Sequence, residues 1–486
     1  MRFAIKHYAG YLLPAALAGM LLVLYGSFLT HPVNLVTADL GRHVKNGELF
    51  FETWRPLETN FYSYTEPTYP TLNHHWGSGV IFYLVWRAAG FTGVQLFVIA
   101  LNSAAFLIAL LLAYRRAGAG IAALVAILMI PLLAERTELR PESFSYLLVM
   151  LFFLALWRGR ESDGMRALWL LPALEIVWVN LHIYFFLGPL LVAAFFVEAL
   201  LLRNRARMRR FAVIVAATAA ATFVSPFGVA AAMAPFTILR EYGYLLVENQ
   251  SVWFLETMLP GNPNYRIFKI AFVFLLVSFV PYASPRARAR MGSWQSAAAS
   301  MALALGVSAM GWLQLRNFAL FGLVALPLLA GNAGAFFRAQ AKKYQMQLCA
   351  LAAVILIVAI MGMMKGGMSR FLPYARPLGL GLAPENSAAA DFFRAHNLKG
   401  PIFNNYDIGG YLIYHFFPRE RVFVDNRPEA YSVDFFQKIY IPMQESEEAW
   451  ERYLAQYGFG VIMFSYRDHT PWAQRFLIAR VQDPEW

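Results

Sequence analysis

The chain has 486 residues, of which 59% are hydrophobic and only 14% are charged, and its mean hydropathy is +0.48. Soluble domains are about 25% charged, so this composition excludes an ordinary soluble protein. The net charge of +12 does not indicate a nucleic-acid partner, because most Arg and Lys residues stand in short clusters between apolar runs. That distribution is the positive-inside pattern of membrane proteins.

The apolar runs, taken in chain order, predict the membrane topology. Most are about 20 residues long, enough to cross a hydrocarbon layer of about 30 Å. Placing the basic clusters inside predicts about eleven spans, with the N-terminus inside and the C-terminus outside. The first span covers residues 8–29. An apolar stretch at residues 77–86 is too short to cross, so we expect a helix at the outer interface.

Two domains are expected from the change in composition along the chain. Residues 1–365 are expected to form a transmembrane domain, whose first outer loop covers residues 31–76. Residues 366–486 are less apolar and alternate short β-rich runs with helical ones. Strands are predicted at 402–403, 422–424 and 461–464, and helices at 386–396, 410–417, 431–440 and 445–457. Such alternation predicts a small α/β domain on the outer side.

The first outer loop carries more ionisable groups than a simple connector needs. Asp39 follows the first span and is the predicted chemical centre, as a base that takes a proton from an acceptor or as a metal ligand. The alternative is a solvated acid that pairs with Arg42 or Lys45. Arg42 and His43 are candidate pocket residues in the same segment.

The loop ends in His74 and His75. Both are pocket candidates, and one of them could bind a metal together with Asp39. Stacking in an interfacial aromatic belt explains them equally well. The metal requirement is left open, with a divalent ion as the possible cofactor.

Two arginines at the outer ends of spans, Arg140 and Arg316, are predicted to bind a phosphate. The guanidinium group suits bidentate recognition of phosphate. The alternative is a side chain that extends from a helix end toward water. The acids Glu142 and Glu248 lie in the outer segments and are candidates for acceptor contacts.

Two groups near the middle of the chain have two explanations each. Glu175 falls within a predicted span, where an acid is costly unless it is paired or faces a cavity. His182 lies at the outer turn after that span. Both could line the pocket, or both could make structural hydrogen bonds. In the tail, loops at 404–410 and 424–429 follow predicted strands, where ligands bind in open α/β sheets. Ordinary turn chemistry accounts for them as well.

Short motifs along most of the chain carry a resemblance to a known group of enzymes. They are Asp-Leu-x-x-His at 39–43, Phe-Tyr-Ser-Tyr-Thr at 61–65, Asn-His-x-Trp at 73–76, Arg-Pro-Glu at 140–142, Asn-Leu-His at 180–182, Pro-Phe-Gly at 226–228, Tyr-Asp-x-Gly-Gly-Tyr-Leu at 406–412 and Asp-x-Arg-Pro-Glu at 425–429. The chain resembles integral-membrane glycosyltransferases of the GT-C superfamily, such as protein O-mannosyltransferases and aminoarabinose transferases. It looks closest to a bacterial branch without a settled substrate.

The resemblance implies transfer of a sugar from a polyprenyl-phosphate carrier to a lipid, glycan or protein acceptor. Asp39 matches the acid of the first outer loop and would act as general base in a single inverting step. It also implies a bacterial inner-membrane protein, surrounded by membrane lipids, whose active site faces the periplasm. Two other functions are kept as alternatives. One is a polysaccharide ligase or polymerase that uses a lipid-linked oligosaccharide, and the other is a membrane transporter.

Overall fold

The computed structural model describes residues 2–37, 39–161, 165–238, 242–365 and 376–486. The predicted start of the tail domain, at residues 366–375, lies outside the described residues. The helices before that segment are α1 (Arg2–Leu29), α2 (Leu40–Thr53), α3 (Trp76–Ala117), α4 (Ala119–Leu133), α5 (Glu142–Glu161), α6 (Met165–Leu168), α7 (Leu170–Val179), α8 (Leu187–Leu201), α9 (Arg205–Ala221), α10 (Gly228–Thr237), α11 (Val252–Met258), α12 (Asn264–Val277), α13 (Pro285–Met291), α14 (Ala298–Leu313), α15 (Phe318–Phe336), α16 (Arg338–Lys343) and α17 (Gln345–Met364).

The tail contains short helices around a two-stranded sheet. They are α18 (Ala388–Ala395), β1 (Ile402–Asn404), α19 (Gly409–Phe416), α20 (Pro442–Glu445), α21 (Glu447–Tyr457), β2 (Val461–Met463) and α22 (Pro471–Val481). Short 3₁₀ segments lie at Ile183–Phe186, Val247–Asn249, Val280–Ala283, Trp294–Ala297, Leu315–Asn317, Tyr406–Ile408 and Pro428–Ala430. The predicted helix at 431–440 is reduced to a π-helical segment, Phe435–Tyr440.

Within the described residues, eight helical segments are long and apolar enough to cross a membrane. Two shorter apolar helices, α4 and α10, accompany them. Helices of this length and composition are those of a multi-pass membrane protein. The number of segments that cross, and the side on which each loop lies, stay predictions.

The helix α15 is the centre of the bundle. It packs against α3, α4 and α14, and 89% of its apolar span is buried. Because neighbours surround α15, the segment just before it, Leu315–Asn317, is held against the outer loops. This is how Arg316 reaches the candidate site.

The long helix α3 changes direction at Ala89 and Gly90, where φ is −144° and +63°. Gly90 supplies the positive φ, which costs glycine little. The residues before this kink include the predicted short helix at 77–86, and they pack against α2. A Cβ on Gly47 would lie 2.2 Å from the carbonyl oxygen of Gly79. Glycine at this position therefore permits the close approach of the two helices.

The tail has two of the three predicted strands. The strands β1 and β2 are parallel, and Phe403 is in register with Ile462. The predicted strand at 422–424 is reduced to an isolated parallel β-bridge between Val422 and Ser63, because the backbone of Phe423 and Val424 bonds to side chains instead. Val422 N donates to Tyr62 O (3.1 Å), and Phe423 N donates to the side-chain oxygen of Asn404 (2.9 Å). The tail is thereby joined to the first outer loop.

Candidate functional site

Asp39 lies at the start of α2, where it faces both the bundle and the tail. Asn426 of the tail donates a hydrogen bond to Asp39 Oδ1 and accepts one from Arg42 Nε at 3.1 Å. The other oxygen, Oδ2, lies 3.6 Å from Arg140 and 3.9 Å from Arg42. The predicted alternative partner Lys45 pairs with Glu48 instead. Three chain segments far apart in sequence therefore meet at one carboxylate.

A second carboxylate, Glu248, joins two arginines of the loop between α4 and α5. Arg140 Nη1 donates to both oxygens of Glu248 at 3.3 Å, and Arg136 Nη1 donates to one at 2.5 Å. Burial raises the pKa of Glu248. The charges of Arg136, Arg140 and Arg316 outweigh that effect and lower the pKa to about 2. Glu248 is therefore ionised at any physiological pH.

A third carboxylate, Glu142, anchors the far side of this group at the first turn of α5. It accepts two hydrogen bonds from Arg136, at 2.5 and 3.1 Å, and one from Arg316 Nη2 at 2.8 Å. Arg316 Nη1 also bonds to Asn249 Oδ1 at 3.1 Å. Glu142 thus orients Arg136 and Arg316, and its oxygens are already engaged.

These side chains form the arginine–carboxylate cluster, whose members are Asp39, Arg42, Arg136, Arg140, Glu142, Glu248 and Arg316. Four guanidinium groups face three carboxylates, which leaves one net positive charge. The Nε–H groups of Arg140 and Arg316 are buried and have no hydrogen-bond partner among the described residues. Buried donors without partners are uncommon and suit an anionic ligand.

The four predicted histidines form a second group, the histidine cluster of His43, His74, His75 and His182. The ring of His75 lies 3.9 Å from that of His74, 5.2 Å from that of His182 and 5.5 Å from that of His43. Burial lowers the pKa of all four, to about 4 for His74 and about 3 for His182. The nearby arginines lower these pKa values further, so the rings are neutral at pH 7.

Neither cluster has the ligand arrangement of a metal site. Across the described residues, no three His, Cys, Asp or Glu side chains are grouped as they would be around a metal ion. His182 bonds to Ser145 Oγ at 2.8 Å instead. Glu175 is fully buried against Gly188, and neither of its oxygens has a hydrogen-bond partner in the described chain.

A cavity of about 380 Å³ opens beside the histidine cluster. One wall is apolar and comes from Phe227 and from Ala230, Met233 and Ala234 of α10. Another part of the lining carries the polar residues His74 and Glu429. Burial raises the pKa of Glu429 and lowers that of His74. The charge of Arg42 opposes the first shift and adds to the second, so both groups lie within electrostatic reach of the cluster.

Sequence reasoning missed Arg136, Asn249 and Asn426 as members of the site. Arg136 lies in the same segment as Arg140, and its density of charged residues was the available signal. Asn426 belongs to the 424–429 loop, which was a candidate of unspecified role. Asn249 follows Glu248 and had no signal of its own.

The other tail loop brings a further acid toward the cluster. Burial, together with the charges of Asp468 and Asp39, raises the pKa of Asp407 to about 7, whereas Arg140 lowers it. A carboxyl group with a pKa near the working pH is suited to proton transfer. Asp407 was not among the predicted site residues.

No protein-family model matches the chain, and no curated protein matches it. Several solved structures match the chain in fold. The apo oligosaccharyltransferase of Archaeoglobus fulgidus matches with a TM-score of 0.59 at 12% identity, covering 94% of this chain and 70% of that chain. The same enzyme in complex with Zn and sulfate gives a TM-score of 0.57 at 14% identity, with 93% and 67% covered.

A third structure, the archaeal oligosaccharyltransferase AglB from Archaeoglobus fulgidus with an inhibitory peptide and a dolichol-phosphate, gives a TM-score of 0.57 at 13% identity. It covers 97% of this chain and 71% of that chain. The chain shares the fold of these oligosaccharyltransferase structures. At such low identity the match concerns architecture alone. The alignments cover 93 to 97% of this chain.

Proposed function

We propose that this protein is a glycosyltransferase that moves a sugar from a polyprenyl-phosphate carrier to an acceptor. The observation that carries the proposal is the contact of Asp39 with Arg140, inside a cluster that has one net positive charge. A glycosyl phosphodiester carries one negative charge. The cluster therefore offers a proton acceptor next to a site that balances the charge of the donor.

Arg140 and Arg316 are proposed to hold the donor phosphate. Both guanidinium groups are fixed by carboxylates, and both keep a buried Nε–H without a partner among the described residues. Donors that are already oriented stabilise the charge that develops on the leaving phosphate without further rearrangement. Arg136 is bonded to Glu142 and Glu248 through all three nitrogens. It therefore acts as a positioning residue.

Asp39 is proposed as the general base. Its Oδ1 accepts a hydrogen bond from Asn426, whereas the contacts of Oδ2 with the described residues are charge contacts to Arg140 and Arg42 at 3.6 and 3.9 Å, beyond normal hydrogen-bond length. Oδ2 is thus able to accept a proton. The acceptor oxygen attacks the anomeric carbon, the bond to the phosphate oxygen breaks with its electron pair, and the proton passes to Oδ2. A single displacement inverts the anomeric centre.

The lipid part of the donor is proposed to enter through the cavity beside α10. Its apolar wall suits isoprenoid units, and its polar wall leads toward Arg42. Val229, Met233 and Phe236 on the same helix are exposed, as expected for a helix in contact with lipid. The matched AglB structure contains a dolichol-phosphate and a peptide. A lipid-phosphate donor and a lipid, glycan or protein acceptor are consistent with that likeness.

A divalent metal is compatible with the fold, since one matched structure was solved with Zn. In this chain all three carboxylates of the cluster are bonded or ion-paired to guanidinium groups. A cation would have to displace those partners, so no step here is routed through it. We propose that the cluster faces the periplasm from a bacterial inner membrane, and the positive-inside pattern supports an outer position for it.

The proposal is tested in a deletion strain of the source organism. Mass spectrometry of its glycolipids and glycoproteins should reveal one missing sugar, which the wild-type gene restores. The Asp39→Asn variant should not restore the sugar, whereas Glu48→Gln, an acid outside the cluster on the same helix, should. An unchanged set of glycans in the deletion strain would refute the proposal.

The second candidate is a ligase or polymerase that transfers a lipid-linked oligosaccharide. It is favoured by the four arginines and by the oligosaccharyltransferase fold of the matched structures. Such an enzyme would depend on Arg140 and Arg316 more than on Asp39. Full transfer by Asp39→Asn, together with loss in Arg140→Gln, would select it.

A further inference from the structure

A second polar cavity, of about 280 Å³, lies at the opposite end of the bundle from Asp39. The helix α5 connects the two sites, because Glu142 of the arginine–carboxylate cluster begins it and Arg160 lies near its end. Its 20 residues span about 30 Å, close to the thickness of a hydrocarbon layer. A membrane-crossing α5 would place the cavity at the other membrane surface.

Three arginines from three different helices line this cavity. They are Arg116 of α3, Arg160 of α5 and Arg207 of α9. The guanidinium carbons of Arg116 and Arg160 lie 4.1 and 4.9 Å from the ring centre of the buried Trp157. Arg160 also pairs with Glu198 at 2.9 Å. The arginines are thus held in place, whereas ordinary surface arginines move freely in water.

The third arginine has an unusual position for a cation. Arg207 lies in the first turn of α9, a turn that contains no acidic residue. The Asn204 cap accepts from Arg207 N at 3.0 Å, and Arg207 Nη2 donates to the carbonyl of Arg160 at 2.8 Å. The positive end of the helix dipole repels a cation and attracts an anion. A bound anion would offset the charge of Arg207 and the partial positive charge of the N-terminus of α9.

The rest of the lining supplies hydroxyl groups. Tyr282, Ser296 and Ser300 face the cavity with the three arginines. Tyr282 and Ser296 donate to Asn332 Oδ1 and Ser293 O, at 3.2 and 2.7 Å. The donors for a ligand are therefore the guanidinium groups together with Ser300, and guanidinium groups are strong partners of a phosphate. Basic pockets between membrane helices are used for lipid head groups. A simple membrane anchor would need only exposed arginines such as Arg203, Arg205 and Arg209 on the same segment.

We propose that this cavity binds a phosphate group at the membrane surface opposite Asp39. The phosphate belongs either to the head group of an anionic phospholipid in the adjacent leaflet or to a soluble phosphate ion. The site is separate from the sugar-transfer site, and it would exist whether or not the chain is a glycosyltransferase. A bound phosphate would hold α3, α5 and α9 together at the end of the bundle where each of these helices carries an arginine of the cavity.

The test uses thermal unfolding of the full chain, purified in detergent and stripped of lipid. Dioleoyl phosphatidylglycerol or inorganic phosphate is titrated, with dioleoyl phosphatidylcholine and sodium chloride at equal ionic strength as references. A rise in Tm with phosphatidylglycerol alone identifies a lipid head group, and a rise with phosphate alone identifies a soluble ion. A Tm that neither ligand raises above its reference would overturn the proposal.

A matched pair of variants locates the effect. Arg207→Gln should require about tenfold more ligand for half of the rise in Tm, as expected for loss of one charge-assisted hydrogen bond. Arg205→Gln removes the same charge two residues earlier on the same helix, from an exposed side chain, and should behave as wild type. Arg207→Lys, which keeps the charge, should give a smaller loss and serves if Arg207→Gln does not fold. Equal weakening in the 205 and 207 variants would show a general surface effect and refute the site.

Discussion

The arginine–carboxylate cluster and the histidine cluster lie side by side, yet burial has opposite consequences in the two. In the first, each buried charge has a partner of opposite sign, so the pKa of Glu248 falls to about 2 and the groups stay ionised. In the second, burial and the nearby positive charges lower the pKa values of four bases, and the rings are neutral at pH 7. Pairing, and not burial alone, decides which groups carry charge.

The difference suggests a division of tasks. The arginine–carboxylate cluster can bind an anion and accept a proton at neutral pH. The rings of the histidine cluster are neutral and pack against one another, and His74 lines the cavity. Substitutions in each cluster, with transfer activity and stability as the measurements, can test this division.

Replacement of Asp39 by Asn should have the largest effect. The variant keeps the shape of the side chain but does not take the acceptor proton, so kcat should fall by about 10²- to 10⁴-fold. The measurement is transfer from a synthetic polyprenyl-phosphate sugar by the purified protein. Glu48→Gln is the control and should keep wild-type kcat.

A competing base can be recognised in the same assay. Asp407→Asn should cost much less than Asp39→Asn, because Asp407 lies outside the arginine–carboxylate cluster. A larger loss in Asp407→Asn would move the role of base to the tail domain.

Arg140→Gln and Arg316→Gln should each lower kcat/KM by about 10- to 100-fold. Each removes a charge-assisted hydrogen bond to the donor phosphate, a contact that contributes about 1.5–3 kcal/mol. Donor titrations at saturating acceptor measure the effect. Arg55→Gln, an exposed arginine of the first outer loop, should leave the donor KM unchanged. A donor KM and kcat unaltered in both cluster variants would place the phosphate elsewhere.

Asn426→Ala should reduce kcat by about tenfold. Asn426 holds Asp39 and Arg42 in one geometry, and hydrogen bonds to charged groups contribute about 1.5–3 kcal/mol. Because the acid remains, the loss should be smaller than in Asp39→Asn. Asn386→Ala, at another contact between the tail and the first outer loop, is the control. Equal loss in both variants would indicate that docking of the tail matters more than orientation of Asp39.

The histidine cluster should affect stability and not transfer at pH 7.5. His74 has a pKa of about 4 in the folded chain against an ordinary 6.5, so the unfolded chain binds protons more readily between these values. Stability is complete above pH 6.5 and is lost as the pH falls toward 4. At pH 5 the loss from His74 is about 2 kcal/mol.

The measurement is Tm in detergent between pH 7.5 and 5. His74→Asn should flatten the dependence of Tm on pH, whereas His396→Asn, at an exposed position of the tail, should not. If the slope of Tm against pH is unchanged in His74→Asn, the ring is not buried as a neutral base.

Several features of the fold could be predicted because they depend on local pattern. The apolar runs give the long helices, and the short stretch at 77–86 lies before the kink at Ala89 and Gly90. The strands at 402 and 461 follow from β-rich residues between turn signals. The strand at 422–424 failed for a nonlocal reason. Its hydrogen-bond partners come from Tyr62 and Asn404, and no local pattern indicates them.

The candidate site divides in the same way. Charged residues in apolar surroundings are conspicuous, so Asp39, Arg140, Arg316 and Glu248 could be selected from composition alone. The partners of these residues could not be predicted, because a contact such as that of Asn426 with Asp39 joins residues 387 positions apart in the sequence. The charge of the histidines also could not be predicted, since it depends on burial and on neighbours from other elements.

The lengths of the apolar runs and the positions of the charges are properties of each segment. They are therefore enough to indicate a helical membrane protein whose ionisable groups are collected between its predicted spans. The pairing of each acid with its arginine, and the loss of charge on the buried bases, are visible in the tertiary structure alone. Those outcomes depend on distances of a few ångströms between segments far apart in the chain.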